Sequence, residues 1–403
     1  MTQPTEPARR CPVAYPFSGE HRLELEEDYA RARADGHLLR VALPVGGDAW
    51  LATTYHQVHT VLTHPHMARG PANVPAAPRL ETALMTPQSV LALDGPAHTR
   101  LRRAIAGAFS PRTARRIRPH LQAEADRLLD SFLAREQPAD LVAAYTEPLA
   151  LTAVRQLVGQ SPGDDEDDVV ALVAALARTR ETPAEAEARS RLEAAVDRLT
   201  RSRGLPPGLP PDLLRDLSLT RAVGAGLSTS QNTDIVFAVV LGARSPAVFL
   251  PSAVLVLLQH PTHLQALRRH PHLWPKAVEE LLRFIPVGLG GGFPRTATAD
   301  LEVAGHPVAA GETVLPAMIA ANLDPDAFPH ADELDFTRTR NNHLAFGAGP
   351  HRCPGAPLSR HLIEVSLRSL ITRAPALRLA TLAPATWHTG RIVRALATLP
   401  VEW

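Results

Sequence analysis

Phe346-Gly347-Ala348-Gly349-Pro350-His351-Arg352-Cys353-Pro354-Gly355 is the stretch on which the reading of this 403-residue chain turns. One cysteine stands in a short loop with glycines on both sides, and the apolar, helix-like run Ala356 to Ile371 follows it. Glycine tolerates the dihedrals of tight turns and lets backbone approach a bulky flat ligand. A cysteine just ahead of a helix sits where the N-terminal dipole and free N–H groups favour negative charge. Cys353 therefore reads as a thiolate presented to a metal on a rigid loop. A lone thiol is more often an inert buried cysteine; the glycine spacing tips the reading towards a ligand.

These ten residues resemble the haem-binding loop of the cytochrome P-450 family, whose pattern is Phe-Gly-x-Gly-x-His/Arg-x-Cys-x-Gly. Every fixed position is matched, with His351 at the basic place. The resemblance implies a mainly α, single-domain cytochrome P-450 fold with small β-sheets. It implies haem b as cofactor and Cys353 as the axial metal ligand, with Phe346, Gly347, His351 and Gly355 beside the haem. Thiolate ligation favours O–O cleavage on the opposite face. Downstream, Ala356-Pro357-Leu358-Ser359-Arg360 departs from the family's Ala-x-Leu-Ala-Arg only at Ser359.

Bulk properties set bounds on partners. A net charge of +1 gives no strong field for nucleic acid or an anionic membrane. Two cysteines, Cys11 and Cys353, argue against a disulfide framework and for a reducing compartment. Met1 to Arg10 carries no apolar core of signal-peptide length. The longest apolar region, Ile235 to Leu258, is interrupted by Gly242, Arg244, Ser245, Pro246 and Pro251, so a buried core helix is expected rather than a membrane span. The expectation is a cytoplasmic monomer acting on a small molecule, with ferredoxin and ferredoxin reductase as electron partners and no nucleic-acid or membrane partner. Residues 1–20 read as a flexible lead-in and 21–403 as the haem domain.

Taken in order, Leu23 to Ala34 is helical and amphipathic. Leu39 to Val45 and Ala49 to Thr53 read as strands across a Gly46-Gly47-Asp48 turn, and Tyr55 to Leu62 resumes helical spacing. In the family, the loop corresponding to Gly70–Val90 covers the substrate, which makes Asn73, Leu84 and Met85 candidate contacts. Asp94-Gly95-Pro96-Ala97-His98 leads into a helix running to Phe109. His98 and Arg102 lie four apart on one face, and the resemblance gives them the haem propionates, which want charge-assisted donors. Ser161 to Asp168 reads as an acidic linker and Gly204 to Pro211 as a proline-rich hinge. Glu280 and Arg283 resemble the family's Glu-x-x-Arg pair, with Arg338 as third member and a structural role. The resemblance places Val287 to Arg295 alongside the haem, with Arg295 as another propionate partner and Leu289 as a substrate contact, and the glycines of Gly288 to Gly292 leave room there. Leu301 to Leu315 reads as strands with a Gly305-His306-Pro307 turn. In the terminal strands, Ile392 is a further pocket candidate.

One motif departs from its family. Counting back from His260-Pro261 aligns Leu241-Gly242-Ala243-Arg244-Ser245-Pro246 with Ala-Gly-x-Asp/Glu-Thr-Thr, whose acid and alcohol relay protons for O–O cleavage. Arg244 takes the acid position and Ser245 the alcohol position; guanidinium stays protonated and cannot cycle as a relay. Pro246 removes a helix N–H, so a kink is expected there. Either dioxygen chemistry survives through water or substrate hydroxyls, or the haem uses peroxide or transfers nitrogen or another group. A third reading is a catalytically silent haem-binding protein. In any of these readings Arg244 is expected to anchor an anionic or strongly polar group of the substrate, the alternative being a pair within the protein, with Phe237 and Leu241 as apolar contacts. The main expectation is an oxidative tailoring enzyme of specialised metabolism.

Overall fold

Apolar spacing sets the helices. In Pro111–Leu133 the buried Ile117, Leu121, Ala125, Leu128 and Phe132 recur three and four residues apart, one face of a 3.6-residue period. Ser110 caps this helix by accepting the Thr113 N–H at 3.1 Å, and Pro111 fills the first position, where no donor is needed. The helix behind the cysteine loop, Ala356–Arg373, is the hub of the helical layer. It lies against Pro111–Leu133, Arg244–Gln259, Trp274–Phe284 and Glu147–Val158. Its Leu362, Val365, Leu367 and Leu370 are buried, each contributing roughly 1.5–3 kcal/mol of transfer free energy.

The computed structural model describes residues 11–17, 23–81, 83–159, 168–179, 182–202, 227–242, 244–287, 293–388 and 393–403, with only the backbone at 177–179, 202 and 244. The acidic linker (except Asp168), the proline-rich hinge, Leu289 and Ile392 lie outside the described residues. So do residues 1–10 and 18–20 of the expected lead-in.

The chain is mainly α with small sheets. The largest sheet is mixed and six-stranded, in the spatial order Val13–Ala14, Leu39–Leu43, Gly47–Ala52, Thr313–Pro316, Arg295–Ala297, Met67–Ala68. The described part of the expected lead-in, residues 11–17, is therefore docked at Val13–Phe17. Val13–Ala14 pairs with Val41–Ala42, and Tyr15 and Phe17 are buried edge-on with Tyr29. Aromatic area of this kind stays on the surface only at a large cost.

Other differences are local. The helix expected from Leu23 starts at Glu27, and the one expected to reach Phe109 ends at Ala104. Leu43 pairs with Gly47, so Gly47 and Asp48 already belong to the strand and the turn sits earlier, at a Gly46 with φ +79°. The Leu301–Val303 and His306–Val308 hairpin turns on Ala304 and Gly305, whose φ values are positive. That leaves His306 in the strand, buried against Trp50.

The long apolar region forms helices Thr229–Gly242 and Arg244–Gln259. Leu250, Ala253, Val254, Val256 and Leu257 are all buried in the core. The described backbone is helical over Thr229–Gly242 and over Arg244–Gln259, Pro246 and Pro251 included; Ala243 lies outside the described residues. Residues of this helical region and of the cysteine loop line one cavity.

Candidate active site

A cavity of about 970 Å³ lies between the cysteine loop and the helix Thr229–Gly242. Cys353, Gly355 and Leu358 line one side, and Ala238, Leu241, Gly242, Ser245 and Pro246 the other. The loop's shape is sterically fixed. Gly347 and Gly349 have φ of +67° and +68°, and a Cβ on Gly349 would stand 2.5 Å from the Leu62 carbonyl oxygen. Cys353 N–H donates to Phe346 O at 2.8 Å, closing the loop on itself. The Phe346 ring lies beneath the Arg360 guanidinium, 4.7 Å from ring centre. Phe346 and Gly347 thus hold the loop, while His351, Cys353 and Gly355 face the cavity.

The free thiol differs from the expected thiolate. Burial pushes the Cys353 thiol up. That outweighs the Gly355 N–H bond, the Arg102 charge, the Ala356 N–H and Arg352, all of which favour ionisation. A bound metal would replace the proton and reverse that balance.

Next to the cysteine stands a cluster of basic side chains. Arg69, His98, Arg102 and His351 line the cavity, and Arg295 is 1 % exposed. Met67 pairs with Ala297 and Ala68 with Thr296, so the next step of the register sets Arg69 opposite Arg295. Like charges directly opposite one another are unfavourable. Burial and then the Arg295 charge hold Arg69 well below its usual range, and burial brings Arg295 down to about 10. Arg69 donates to Leu91 O at 2.9 Å and lies over the Phe293 ring, but its buried Nε has no partner among the described residues. Arg102 donates to Arg352 O at 2.9 Å.

Two histidines complete the cluster, their ring centres 4.0 Å apart. Burial, then Arg102 and Arg69, lowers His98 to about 4. Burial also takes His351 down to about 3, against the bond it makes with Asp94. Both are neutral at pH 7. Asp94 is the cluster's carboxylate. It accepts the Arg69 and Gly70 N–H groups at 2.8 Å each and the His351 Nε2 at 3.1 Å. Burial alone would raise its pKa; these bonds win and lower it. Three guanidiniums, two of them buried, against one carboxylate leave a surplus of positive charge. A buried charge is costly until paired, and the two carboxylates of a haem, beside a cysteine that reaches the same cavity, fit that surplus.

Elsewhere, Glu280 and Arg283 form a buried pair at 2.8 and 2.9 Å. Arg338 joins Glu280 at 3.3 Å, and Asn341 donates to the same carboxylate at 2.9 Å. Of the substrate candidates, Leu241 lines the cavity. Asn73, Leu84 and Met85 do not. Asn73 spends both ends of its amide on the Met85 backbone, at 2.9 and 3.0 Å, and so pins the loop whose Leu80, Glu81, Val90 and Leu91 do face inward. Phe237 packs beside the core around Ile235 rather than in the cavity lining. Ser245 lines the cavity; the Arg244 side chain lies outside the described residues.

Sequence reasoning missed Arg69 and Asp94. Asp94 precedes Gly-Pro and looks like a helix cap, yet it makes no capping bond and turns to Arg69, Gly70 and His351 instead. No local pattern marks Arg69. Its importance comes from a strand pairing with residues more than two hundred positions away.

Residues 256–373 match the cytochrome P450 family. Nocardicin C N-oxygenase of Nocardia uniformis subsp. tsuyamanensis is 39 % identical over 97 % of this chain and 98 % of its own length. Mycinamicin IV hydroxylase/epoxidase of Micromonospora griseorubida is 37 % identical over 97 % and 99 %. The crystal structure of the LnmA cytochrome P450 hydroxylase, from the leinamycin biosynthetic pathway of Streptomyces atroolivaceus, superposes with a TM-score of 0.86. It is 35 % identical, covering 97 % of this chain and all of that one.

Proposed function

The chain belongs to the cytochrome P450 family, and from that premise we propose that it is a haem-thiolate monooxygenase that tailors a small organic molecule of specialised metabolism. The observation that carries the reading is Cys353 sharing a cavity with Arg69 and Arg102, with Arg295 buried opposite Arg69. Haem iron held by a thiolate supplies the activation of oxygen for transfer to a substrate bond. The chain's own residues do the rest. Cys353 would hold the haem iron through its sulfur, with its loop pinned by Phe346 and the two positive-φ glycines. Arg69, Arg102 and Arg295 would neutralise the propionates, and His98 and His351, neutral before loading, would hydrogen-bond them.

Above this floor, apolar walls that include Val90, Ile105, Leu157 and Leu241 exclude water and hold an apolar body. Ser245, at the alcohol position, offers one hydroxyl to the cavity. Arg244, at the acid position, cannot relay a proton and instead anchors an anionic group of the substrate. The enzyme works in the cytoplasm as a monomer and takes electrons from a ferredoxin and its reductase.

The Arg244-Ser245-Pro246 sequence supports a second reading, in which peroxide or a nitrogen-centred transfer replaces dioxygen and electrons. Turnover of a panel of small natural products decides between them, run in parallel with hydrogen peroxide and with ferredoxin, reductase and nicotinamide cofactor. Product only with electron supply supports the monooxygenase; product only with peroxide selects the second reading. A ligand-induced Soret shift with no product in either system selects a silent binding protein. Loss of the red-shifted carbon monoxide band in Cys353→Ala, against its presence in the parent, checks the ligand itself.

A further inference from the structure

We propose that Asp234 is a positioning residue for substrate specificity, clasping the cavity's loop wall to the helix that forms its roof. The side chain is 4 % exposed and takes no part in the chemistry above. One carboxylate oxygen accepts the Thr86 hydroxyl at 2.5 Å, and the other accepts Arg189 Nη2 at 2.9 Å. The same Arg189 nitrogen reaches the Ser230 hydroxyl at 3.1 Å, and Nε reaches Glu193 at 3.0 Å. Three elements far apart in sequence therefore meet on one carboxylate: the loop after Gly70, the helix Glu185–Ser202 and the helix Thr229–Gly242. A carboxylate among residues as buried as Ile235 and Val236 is costly unless its oxygens are matched. Here each oxygen is matched by a different neighbour, so the three elements have one low-energy arrangement.

That arrangement shapes the cavity. Asp234 stands one turn before Ala238 on the face that continues through Leu241, Gly242 and Ser245, all of which line it. Thr86 lies midway between Leu80 and Glu81 on one side and Val90 and Leu91 on the other, all four of them lining. Its carbonyl accepts the Ser89 N–H at 2.9 Å, and Ser89 in turn holds Ala92 and Leu93. Met85, next to it, is fixed by Asn73. Freeing Thr86 thus removes the one side-chain tether between this wall and the roof among the described bonds, while Cys353, Arg102 and Arg295 keep the bonds and packing that they have.

The proposal relies on the haem-thiolate reading for the identity of the cavity's occupant, and its test separates the two. Hydrogen–deuterium exchange on haem-loaded protein compares the parent with Thr86→Val, Thr86→Ser and Asp234→Asn. A second arm measures 4-phenylimidazole binding and release by stopped flow at the Soret band. Thr86→Val should exchange faster across residues 80–91, with helix Ala356–Arg373 unchanged. It should also bind the probe about tenfold more weakly, the scale of one lost hydrogen bond to a charged group, and Thr86→Ser should restore both. Asp234→Asn should add faster exchange in helix Glu185–Ser202. If it fails to fold or to hold haem, Thr86→Val, which keeps the Arg189–Asp234 pair, decides alone. Unchanged exchange at 80–91 overturns the clasp. Faster exchange with unchanged probe affinity overturns its role in specificity. Absence of a thiolate carbon monoxide band would overturn the haem reading and leave the exchange result standing.

Discussion

Arg360 grips both oxygens of Glu279, at 2.6 and 2.7 Å. The grip ties the helix behind the cysteine loop to helix Trp274–Phe284. His343 adds a third bond at 3.2 Å, and the same guanidinium covers Phe346 at the start of the loop. Loop geometry and carboxylate charge are therefore coupled.

Burial alone would raise the Glu279 carboxyl, but the bonds and charges of Arg360 and His343 win and hold it down to about 2. A depressed acid contributes stability that is present above its unfolded value, about 4.3, and is lost as pH falls through its folded one. The parent should lose stability between about pH 4.3 and 2 that Glu279→Gln never had. The gap at pH 7 should be about 2 kcal/mol or less once solvent screening is allowed for. Urea denaturation at a series of pH values reads it; parallel curves for the two proteins would dismiss the coupling.

Arg69 should show opposite effects in the two forms of the protein. Without haem it faces Arg295 across the strand pair, so Arg69→Met should leave the haem-free protein as stable or more stable, by about 0.5 kcal/mol. With haem it loses a charge-assisted partner of a propionate, so haem should transfer to apomyoglobin faster. Thermal melts of the haem-free protein and haem-transfer rates are the two readings. A destabilised haem-free variant that keeps its haem as long as the parent would show that Arg69 is only structural.

Arg283 has all five N–H donors engaged: two to Glu280, and the others to the carbonyls of Asn322, Ala331 and Glu333. Lysine has neither the fork nor the number of donors to replace it. Arg283→Lys should cost about 3–5 kcal/mol, because it leaves Glu280 and three carbonyls short of partners in a buried site. Denaturant titration that finds a loss below 1 kcal/mol would mean that water enters and substitutes.

The sequence made some of this legible and hid the rest, for physical reasons. The cysteine loop could be read because its constraints are local: Gly349 must lack a side chain to pass the Leu62 carbonyl, and Cys353 closes on Phe346. Glu280 and Arg283 could be read because one helical face holds both. Arg69, Asp94 and Glu279 could not, because their partners arrive through strand pairing and helix packing across long separations. Asn73 reads as any polar loop residue, and only the fold reveals that its amide is spent on the Met85 backbone. The turn expected over Gly305-His306-Pro307 falls instead on Ala304–Gly305, with His306 and Pro307 in the strand, because Ala304 adopts the positive φ usually left to glycine.

Arg244 stands in the helical stretch Arg244–Gln259, and Leu241, Gly242, Ser245 and Pro246 around it line the cavity. A guanidinium at that point stays charged, and a carboxylate matches its planar fork best. Soret titrations with a carboxylate-bearing ligand and its amide test the anchoring role. The parent should prefer the carboxylate. Arg244→Leu should lose that preference by about tenfold or more, the scale of a lost charge-assisted pair, with haem content unchanged. Arg244→Lys should recover only part of it, since a point charge cannot make two parallel bonds. Arg244→Glu places an acid back at the relay position but repels an anion, so dioxygen-driven turnover should appear only with the neutral amide. Equal affinities for acid and amide in the parent, unchanged in Arg244→Leu, would instead leave substrate held by the apolar walls alone.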